Sequence, residues 1–392
     1  MNKLMSGDAD IDFIGRFNVF AVISGLLVAI SIVLVATVGL NFGIDFAGGY
    51  EIQAKFPAEV TDTKLKEIIA PLGLGDARVQ RFGDAAHNEF LIMIPKHGTL
   101  TDAAKADLEA DFVVLAGGKD KLTAWVVAES GERVTVGFAN AVDEKHVTET
   151  FTKRGMEVKN ISRGEREDKP EYTVILVSLA DRIRTALIGG LGLDNEANPI
   201  QRVEFVGPQV GEQLRSQGTM AILWALFFIL LYVAIRFDLS FAPGAIVALA
   251  HDVVITVGAF SLLQLEFNLP IIAAVLAIVG YSLNDTIVIY DRIRENTIRL
   301  RGRPLRALVN TSINQTLSRT LLTSGTTLMV VVALLVFGGG IIRDFSVALL
   351  IGIAVGTYSS VAIASPVYIL LRERQSRMEA RTQRTVAAAP HS

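Results

Sequence analysis

Six long apolar blocks constrain this chain more than any other feature of its sequence. A transmembrane helix needs about 20 predominantly apolar residues, and six stretches approach or exceed that length. They are residues 19–40 (TM1), 220–235 (TM2), 242–263 (TM3), 269–290 (TM4), 317–337 (TM5) and 345–371 (TM6). The sequence therefore predicts an α-helical membrane protein with six transmembrane helices, in which residues 41–217 form one large domain of soluble composition.

The composition removes several classes of function. The chain of 392 residues is 51% hydrophobic and 20% charged, carries a net charge of −3 and contains no cysteine. A general nucleic-acid binder needs a basic surface, and thiol catalysis, disulfides and cysteine-ligated metals all need cysteine. Three histidines of the large domain, His87, His97 and His146, stand singly without metal-ligand spacing. We therefore expect no nucleic-acid partner, no metal, no cofactor, no catalytic residues and no enzymatic activity.

The arginines predict how the chain is oriented in the membrane. Short loops rich in arginine stay in the cytoplasm; residues 291–316 carry six arginines and the tail 372–392 carries five. The large domain, 41–217, has 21 basic and 28 acidic residues and falls on the opposite side. TM1 lacks the small-residue cleavage site of a signal peptide, so we interpret it as an anchor. The prediction is an inner-membrane protein with a cytoplasmic N-terminus (1–18), a cytoplasmic basic loop, a cytoplasmic tail and a periplasmic domain.

Alternating and helical periodicities predict mixed α and β structure in the periplasmic domain. The predicted strands are 50–56, 77–82, 89–94, 122–128, 132–138, 157–162, 171–177 and 202–206, and the predicted helices are 61–72, 101–116, 143–153 and 178–189. Each consecutive set of six elements has the β-α-β-β-α-β order of the ferredoxin-like fold. Nothing in the domain indicates catalysis, and we interpret it as a binding or lever module.

The same domain contains a candidate duplication. Residues 49–128 and 131–207 match without gaps at an offset of 82 over their first four elements, with Gly49 opposite Gly131 and Phe56 opposite Phe138. Identity between the two stretches is low, and unrelated α+β segments share such alternation. Duplication and chance similarity are therefore both consistent with the pattern.

Three charged residues and one histidine, His251, lie within the apolar blocks. An ionisable group at membrane depth is costly and marks a functional candidate. Asp252 lies near the middle of TM3, Asp285 about two-thirds of the way along TM4, and Arg319 just inside the cytoplasmic end of TM5. TM4 runs towards the cytoplasm and TM5 returns, so Asp285 and Arg319 reach similar depths and can pair. A carboxyl group whose proton affinity depends on a movable partner is the chemistry needed to couple proton flow to movement.

Each of these residues also has a structural interpretation. Arg319 would serve equally as a positive anchor at the membrane edge, and Asp285 as a hydrogen-bonding group between helices. Asp252 and the adjacent His251 would serve as helix-packing groups. The glycines of Gly352-x-x-x-Gly356 are interpreted as close-packing positions between helices.

Four motifs lie next to or within the apolar blocks. They are GIDFAGG at 43–49, VEFVGPQVG at 203–211, YSLNDTIVIYDRIRE at 281–295, and the pair of SRT-x-x-TSGTT at 318–327 with GIAVGTYSS at 352–360. Together they resemble the SecD/SecF family of protein-export membrane proteins, within the resistance-nodulation-division superfamily, and its SecF side rather than SecD. The matching signature residues are Gly43, Asp45, Phe46, Gly48 and Gly49 in the first motif and Asn284, Asp285 and Thr286 in the third.

The resemblance implies a subunit that forms a complex with a SecD-like subunit and associates with the SecYEG channel. Such proteins use the proton-motive force to assist Sec-dependent translocation of unfolded polypeptides across the cytoplasmic membrane. By the same resemblance, Asp285 and Arg319 match proton-pathway positions, and Asp252 matches an acidic position embedded in the third span. A stand-alone exporter of small molecules and an assembly factor without transport are the alternative functions, and six spans make half of a complete exporter.

The sequence departs from the family in the length of its periplasmic domain. The extra residues fall between about Ile94 and Tyr172, within the candidate duplication. Two arrangements are open. Either one family unit closes from 49–94 and 178–207 with the extra segment inserted, or two complete units follow one another; we favour the second.

Overall fold

The chain folds into two compact units. The computed structural model describes residues 10–74, 77–82, 87–95, 99–164, 170–194, 196, 198–237 and 240–387; His97 lies outside these ranges. Residues Phe42–Ser216 make up one unit, called here the sheet unit. Met1–Asn41 and Gln217–Ser392 together make up the other, called here the helical unit.

The helices include six long apolar stretches. In chain order the α-helices are α1 (Phe17–Thr37), α2 (Ile44–Ala47), α3 (Asp62–Ile69), α4 (Asp102–Ala116), α5 (Glu144–Lys153), α6 (Leu179–Leu191), α7 (Pro208–Arg236), α8 (Ala242–Leu263), α9 (Leu269–Arg299), α10 (Leu305–Phe337), α11 (Gly340–Ser359) and α12 (Ser365–Ala387). A π-helical turn, Ser360–Ala364, joins α11 to α12. Among the described residues, α1, α7, α8, α9, α10 and the stretch Ile342–Glu379 are long and apolar enough to cross a membrane. The six apolar helices predicted from the sequence are thereby confirmed.

Several helices extend beyond the predicted spans. The predicted cytoplasmic loop, 291–316, is mostly helical, because α9 continues to Arg299 and α10 begins at Leu305. Glu295 supports this extension by accepting hydrogen bonds from Arg292 at 2.7 Å and from Arg299 at 3.0 Å, the side-chain spacing that stabilises a helical surface. The apolar block marks only the part of a helix that hydrocarbon can cover. The same reason explains why α7 begins at residue 208 and the predicted TM2 at residue 220.

Helix α1 packs through small polar residues. Its buried side chains are Ser24 and Ser31, seven residues apart and therefore on one face. A Cβ atom at Gly258 of α8 would lie 2.3 Å from the Ser31 side chain, so the glycine permits the close approach of the two helices. Ser24 Oγ lies 3.0 Å from the hydroxyl of Tyr358 in α11. Small side chains therefore contribute to the packing of α1, together with an edge-to-face contact between the rings of Phe20 and Tyr358 at 6.0 Å.

The sheet unit contains two antiparallel four-stranded sheets. In chain order the described strands of both units together are β1 (Asn41–Phe42), β2 (Gly49–Lys55), β3 (Arg78–Phe82), β4 (Glu89–Pro95), β5 (Leu122–Val127), β6 (Arg133–Phe138), β7 (Val158–Arg163), β8 (Glu171–Leu176), β9 (Ile200–Val206) and β10 (Glu266–Phe267). The first sheet has the order β3-β4-β2-β9 and the second has the order β5-β6-β8-β7. Every strand and helix predicted for 50–206 is found to within about two residues.

Each sheet has its own apolar core. In the first, Leu65 of α3 and Ile183 of α6 pack against Ile52 and Ile92 of the strands, all four fully buried. In the second, Phe112 of α4 and Phe151 of α5 take the same places over the strands, with ring centroids 5.3 Å apart. Burial alternates along β8 and most of β2, as in a sheet covered on one face, whereas all five residues from Phe90 to Ile94 of β4 are buried.

Side-chain caps fix where these helices begin. Thr61, Thr101, Asp143 and Ser178 each precede a helix and accept a hydrogen bond from a backbone N–H of its first turn. Such a cap satisfies a donor that has no partner within the helix. The polar residues in front of each apolar period therefore give the predicted helix starts.

The strand pairing differs from the tandem arrangement favoured by the sequence. Residues 49–95 and 179–206 close the first sheet, and residues 102–176 form the second sheet between them. The candidate repeats 49–128 and 131–207 therefore do not correspond to the two sheets. The reason is local: β5 and β6 form a hairpin in which Ala128 N donates to Arg133 O at 2.9 Å, and a short loop closes at little entropic cost. Once β5 pairs with β6, the edge of β2 is left for β9.

Glycine makes the junction between the two sheets possible. Gly131 has φ +72, and a Cβ atom there would lie 2.5 Å from the backbone nitrogen of Leu100. No other residue fits that close approach in a left-handed conformation. Beside it, the Tyr50 hydroxyl of the first sheet donates to Glu132 Oε1 at 2.7 Å. Burial is the main cause that raises the pKa of Tyr50 above its usual value, so this hydroxyl keeps its proton.

Candidate functional site

Two carboxyl groups are buried in the helical unit. Asp252 of α8 is fully inaccessible and Asp285 of α9 is 2% exposed. The helices place both among apolar neighbours, so each carboxyl group depends on a few polar side chains for its hydrogen bonds. Those partners define the chemistry that the site can perform.

Asp252 is held by side chains from three helices. Ser282 of α9 donates to its Oδ2 at 2.6 Å, and Ser359 of α11 donates to the same atom at 2.8 Å. Its Oδ1 lies 2.9 Å from Nδ1 of the preceding His251. The position of one proton between imidazole and carboxyl group can therefore change without movement of the heavy atoms.

His251 has a second ring nitrogen that is buried among the described residues without a hydrogen-bond partner, Nε2. The ring lies 6.3 Å, centroid to centroid, from the ring of Tyr358. The Tyr358 hydroxyl in turn donates to the backbone oxygen of Phe20 at 3.2 Å. The imidazole thus lies between the Asp252 carboxyl group and a hydroxyl that contacts α1.

Asp285 is held by a chain of hydroxyl groups. Ser324 of α10 donates to Asp285 Oδ2 at 3.2 Å. Thr357 of α11 donates to Ser324 Oγ at 2.8 Å. Among the described residues, the side chain that donates to this carboxyl group is thus a neutral hydroxyl, which can also accept a hydrogen bond when the acid is protonated.

Arg319 lies on the exposed side of α10. Its charge acts on the Asp285 carboxyl group through space, but among the described residues no ion pair joins the two. The direct pairing considered from the sequence is therefore absent from this conformation. Asn284, the neighbour of Asp285 in the third motif, is also exposed, whereas Thr286 is buried and donates to Ser282 O at 3.2 Å.

Helix α11 is common to both buried acids. Thr357 reaches Asp285 through Ser324, and Ser359 binds Asp252 directly. The π-helical turn begins at the next residue, and Ser365 donates across it to Ser360 O at 3.1 Å. Such single π turns inside long helices are frequent at functional sites. Both acids are thus connected by hydrogen bonds to the segment of α11 that precedes the π-helical turn.

The four hydroxyl residues of this network were not singled out from the sequence. Ser282, Ser324, Thr357 and Ser359 are ordinary residues in transmembrane helices, and helical periodicity alone does not show which of them face an acid. The available signal was the hydroxyl-rich end of GIAVGTYSS in a block that otherwise consists of apolar and small residues. Gly352 and Gly356 bring this segment close, because a Cβ atom on Gly356 would lie 3.4 Å from Asp252 Oδ2.

The first two signature motifs meet in the sheet unit. Gly48 has φ +69, and a Cβ atom there would lie 3.0 Å from the Cα atom of Pro208. From the other side, a Cβ atom on Gly211 would lie 3.1 Å from Gly48 N. Glycines are therefore required where the GIDFAGG turn packs against the start of α7. Gly43 precedes the short α2, and Phe46 of that helix is buried.

Carboxyl groups cluster beside the same motif. Glu51 stands directly opposite Glu204 in the β2–β9 pair. Burial raises the pKa of Glu51 above its usual value, and the negative charges of Glu204 and Asp45 raise it further, while Arg202 acts in the opposite direction. In the part of the chain that the structure describes, no group of three or more His, Asp and Glu side chains is arranged to hold a metal ion.

Comparisons with known proteins agree on one family. The model described as "Protein export membrane protein SecD/SecF, C-terminal" matches residues 192–374, and the "SecD/SecF GG Motif" matches residues 33–56. The protein translocase subunit SecF of Magnetococcus marinus is 40% identical over 360 residues, which cover 92% of this chain and 91% of that protein. The protein translocase subunit SecDF of Thermus thermophilus is 50% identical over 210 residues, covering 54% of this chain and 28% of that protein.

A solved structure supports the same relationship. The crystal structure of SecDF from Thermus thermophilus, a translocon-associated membrane protein, matches with a TM-score of 0.64 and 33% identity. The match covers 94% of this chain and 39% of the SecDF chain. This chain therefore spans about two fifths of the length of that SecDF chain, while it spans nearly the whole length of the SecF protein above.

Proposed function

The chain belongs to the SecD/SecF family of protein export membrane proteins, and from this premise we propose that it is the SecF-like subunit of a complex that assists protein translocation. The complex acts on unfolded polypeptides that leave through the SecYEG channel of the cytoplasmic membrane. Proton flow through the helical unit moves the sheet unit on the far side. The chain is a transport component and not an enzyme.

The proposed orientation places both termini and the arginine-rich end of the helical unit in the cytoplasm. Residues 291–316 and 372–392 carry eleven of the chain's arginines, and positive residues favour the cytoplasmic side. The sheet unit is then periplasmic. Its first sheet has the strand sequence β-α-β-β-α-β with an antiparallel order that supports a ferredoxin-like assignment.

The observation that carries the proton-coupling proposal is the set of partners of the two buried acids. An ion pair with a nearby cation would hold a carboxyl group in its charged form. Asp285 instead has the Ser324 hydroxyl, and Asp252 has two hydroxyls and the imidazole of His251 as hydrogen-bond partners. Each acid can gain or lose a proton while the hydroxyl groups turn to keep the hydrogen bonds satisfied.

Arg319 supports the proposal by its position. An exposed guanidinium within a membrane span is costly unless another group covers it. Arg319 and Asn284 are both exposed in this chain, and a SecD-like partner half would cover them. Approach of Arg319 to Asp285 would favour loss of the proton, and its withdrawal would favour uptake. The relative named SecDF, whose name combines SecD and SecF, supports such a partner.

The direct test is the substitution Asp285→Asn, which keeps the shape and removes the charge. We expect a loss of at least about tenfold in processing of a secreted reporter in cells, because a one-group proton relay has no substitute here. Proton conductance of vesicles that contain the complex should fall in parallel. Asp181→Asn, the same change at an exposed acid of the sheet unit, is the matched control and should leave both values unchanged.

The two readouts separate the alternative functions. Unchanged export and conductance in Asp285→Asn, with normal amounts of protein in the membrane, would rule out proton coupling through this residue. Purification of the chain without a SecD-like subunit would favour a stand-alone exporter. Loss of export with the complex disassembled would favour an assembly role.

A further inference from the structure

A cavity of about 410 Å³ opens at one end of the helical unit. It lies where the end of α9, the start of α10 and the start of α12 come together, and the segment before α8 completes its wall. Four arginines line it: Arg294, Arg301, Arg303 and Arg372. The proton-coupling proposal uses none of these residues.

The arginines of the cavity differ from their neighbours in their partners. Just outside the cavity, Arg299 pairs with Glu295 at 3.0 Å and Arg306 pairs with Glu373 at 2.9 Å. Within the described residues, no ion pair involves any of the four lining arginines; Arg372 has a 3.5 Å contact to the amide of Gln375. The charge gathered at the cavity is thus available to an anion.

The start of α10 adds a second attraction for an anion. Leu305, its first residue, lines the cavity, and the preceding Pro304 provides no side-chain cap. The first N–H groups of a helix have no partner within it and carry the positive end of the helix dipole. Phosphate groups bind at such ends.

The apolar part of the cavity wall indicates which kind of molecule bears the anionic group. The rings of Phe241 and Tyr368 stack with their centroids 4.1 Å apart and their planes at 11°, and both line the cavity. Ile298, also in the lining, is 78% exposed. A free phosphate ion gains nothing from exposed apolar surface, whereas the hydrocarbon part of a lipid does.

We propose that this cavity binds the headgroup of an anionic phospholipid, with the four arginines around its phosphate and the exposed Ile298 against the start of its hydrocarbon. Basic pockets between transmembrane helices on the cytoplasmic side have this chemistry. Positive charge needed only for orientation would act from anywhere in the loop and would not require four unpaired arginines around one aromatic wall. The proposal is independent of proton coupling.

The test compares two double variants of the full-length chain in detergent. Arg301→Gln with Arg303→Gln removes two charges from the cavity. Arg299→Gln with Arg374→Gln removes two charges just outside the cavity, one from α9 and one from α12, and is the control of equal charge. Binding of added phosphatidylglycerol is measured by native mass spectrometry. We expect the cavity variant to bind about tenfold more weakly, and the control to change less than about twofold.

Further measurements identify the ligand and test whether weaker binding results from misfolding. Lysine at both cavity positions, Arg301→Lys with Arg303→Lys, should restore much of the binding, which a misfolded protein would not do. Phosphatidylcholine should bind about tenfold more weakly than phosphatidylglycerol. Equal losses in both double variants, or equal binding of the two lipids, would overturn the proposal. Displacement of the lipid by inorganic phosphate alone at millimolar concentration would assign the cavity to free phosphate instead.

Discussion

Two surface acids of the sheet unit and the two buried acids of the helical unit have different kinds of partner. In the sheet unit, Asp111 receives two hydrogen bonds from Arg154, at 2.6 and 3.0 Å, and Asp181 receives one from Lys159 at 2.8 Å. The Arg154 and Lys159 hydrogen bonds are the main causes that lower the pKa values of Asp111 and Asp181. In the helical unit, Asp252 and Asp285 are bound mainly by hydroxyl groups.

The kind of hydrogen-bond partner determines which chemistry each carboxyl group is suited to perform. A carboxylate fixed by a cation at a wet surface stays charged across the physiological range and contributes little to stability. A carboxyl group that is held by hydroxyls inside an apolar bundle keeps its hydrogen bonds in either protonation state. The hydroxyl partners of both acids include a residue of α11, Ser359 for Asp252 and, through Ser324, Thr357 for Asp285.

The largest expected effect contrasts Asp252→Ala with Asp181→Ala. The first variant leaves His251, Ser282 and Ser359 without their common acceptor in a buried site. Orphaned buried groups cost about 1–3 kcal/mol each, so we expect a loss of about 3 kcal/mol or more. Asp181→Ala breaks one pair at the surface and should cost about 1 kcal/mol or less. Thermal unfolding of the full chain in detergent, followed by circular dichroism, measures both.

Asp252→Asn serves as the control for the first variant. The amide keeps one oxygen as an acceptor, so the variant should be more stable than Asp252→Ala. If Asp252→Ala proves no less stable than Asp181→Ala, the hydroxyl cluster is not a structural unit and the comparison between the two kinds of acid loses its basis.

Local sequence patterns were sufficient to predict the helices and strands, but they did not predict which strands pair with each other. Span TM3 coincides with α8 because its apolar block and its helix end together. The tandem and nested arrangements of the sheet unit use the same strands in the same order, so periodicity does not distinguish them. What decides is the short loop before Arg133, which forms a hairpin and not a linker, with Gly131 at its close approach to Leu100.

The position of the candidate site was predicted to a similar extent, and the role of its residues stays a prediction. Asp252 and Asp285 stood out because charge is rare in apolar blocks, and burial agrees with that reasoning. Their hydroxyl partners depend on how each helix is rotated about its axis, which a single sequence does not specify. Arg319 shows the same limit, since its position along α10 was predictable and its exposure was not.

A smaller effect is expected from Glu51→Gln in the first sheet. Glu51 faces Glu204 across the strand pair, and like charges in that position cost roughly 0.2–1 kcal/mol. The variant should therefore be more stable than the natural chain at neutral pH. Because the folded-state pKa of Glu51 is raised, the natural chain gains stability as the pH falls through that pKa, and the difference should shrink in acid.

Denaturant unfolding of the full chain at several pH values measures this effect. Glu171→Gln is the control, because Glu171 stands opposite Gly137 in the second sheet and faces no like charge. A Glu51→Gln variant that is less stable at neutral pH would show that the carboxylate is favourably bound. Glu51 would then resemble Asp111 and Asp181, the surface acids that are paired with cations.

The smallest effect is expected from Arg154→Gln, which removes the cation from the surface pair of Arg154 and Asp111. Arg154 lowers the pKa of Asp111 from its usual 3.8, so the pair stabilises the fold above that value, and its contribution disappears as the pH falls through the folded-state pKa. The variant should melt about 1–3 °C lower at neutral pH, and its melting temperature should equal that of the natural chain in strong acid. A difference that persisted unchanged in acid would show that Arg154 acts through packing. Charge pairing would then no longer distinguish the acids of the sheet unit from those of the helical unit.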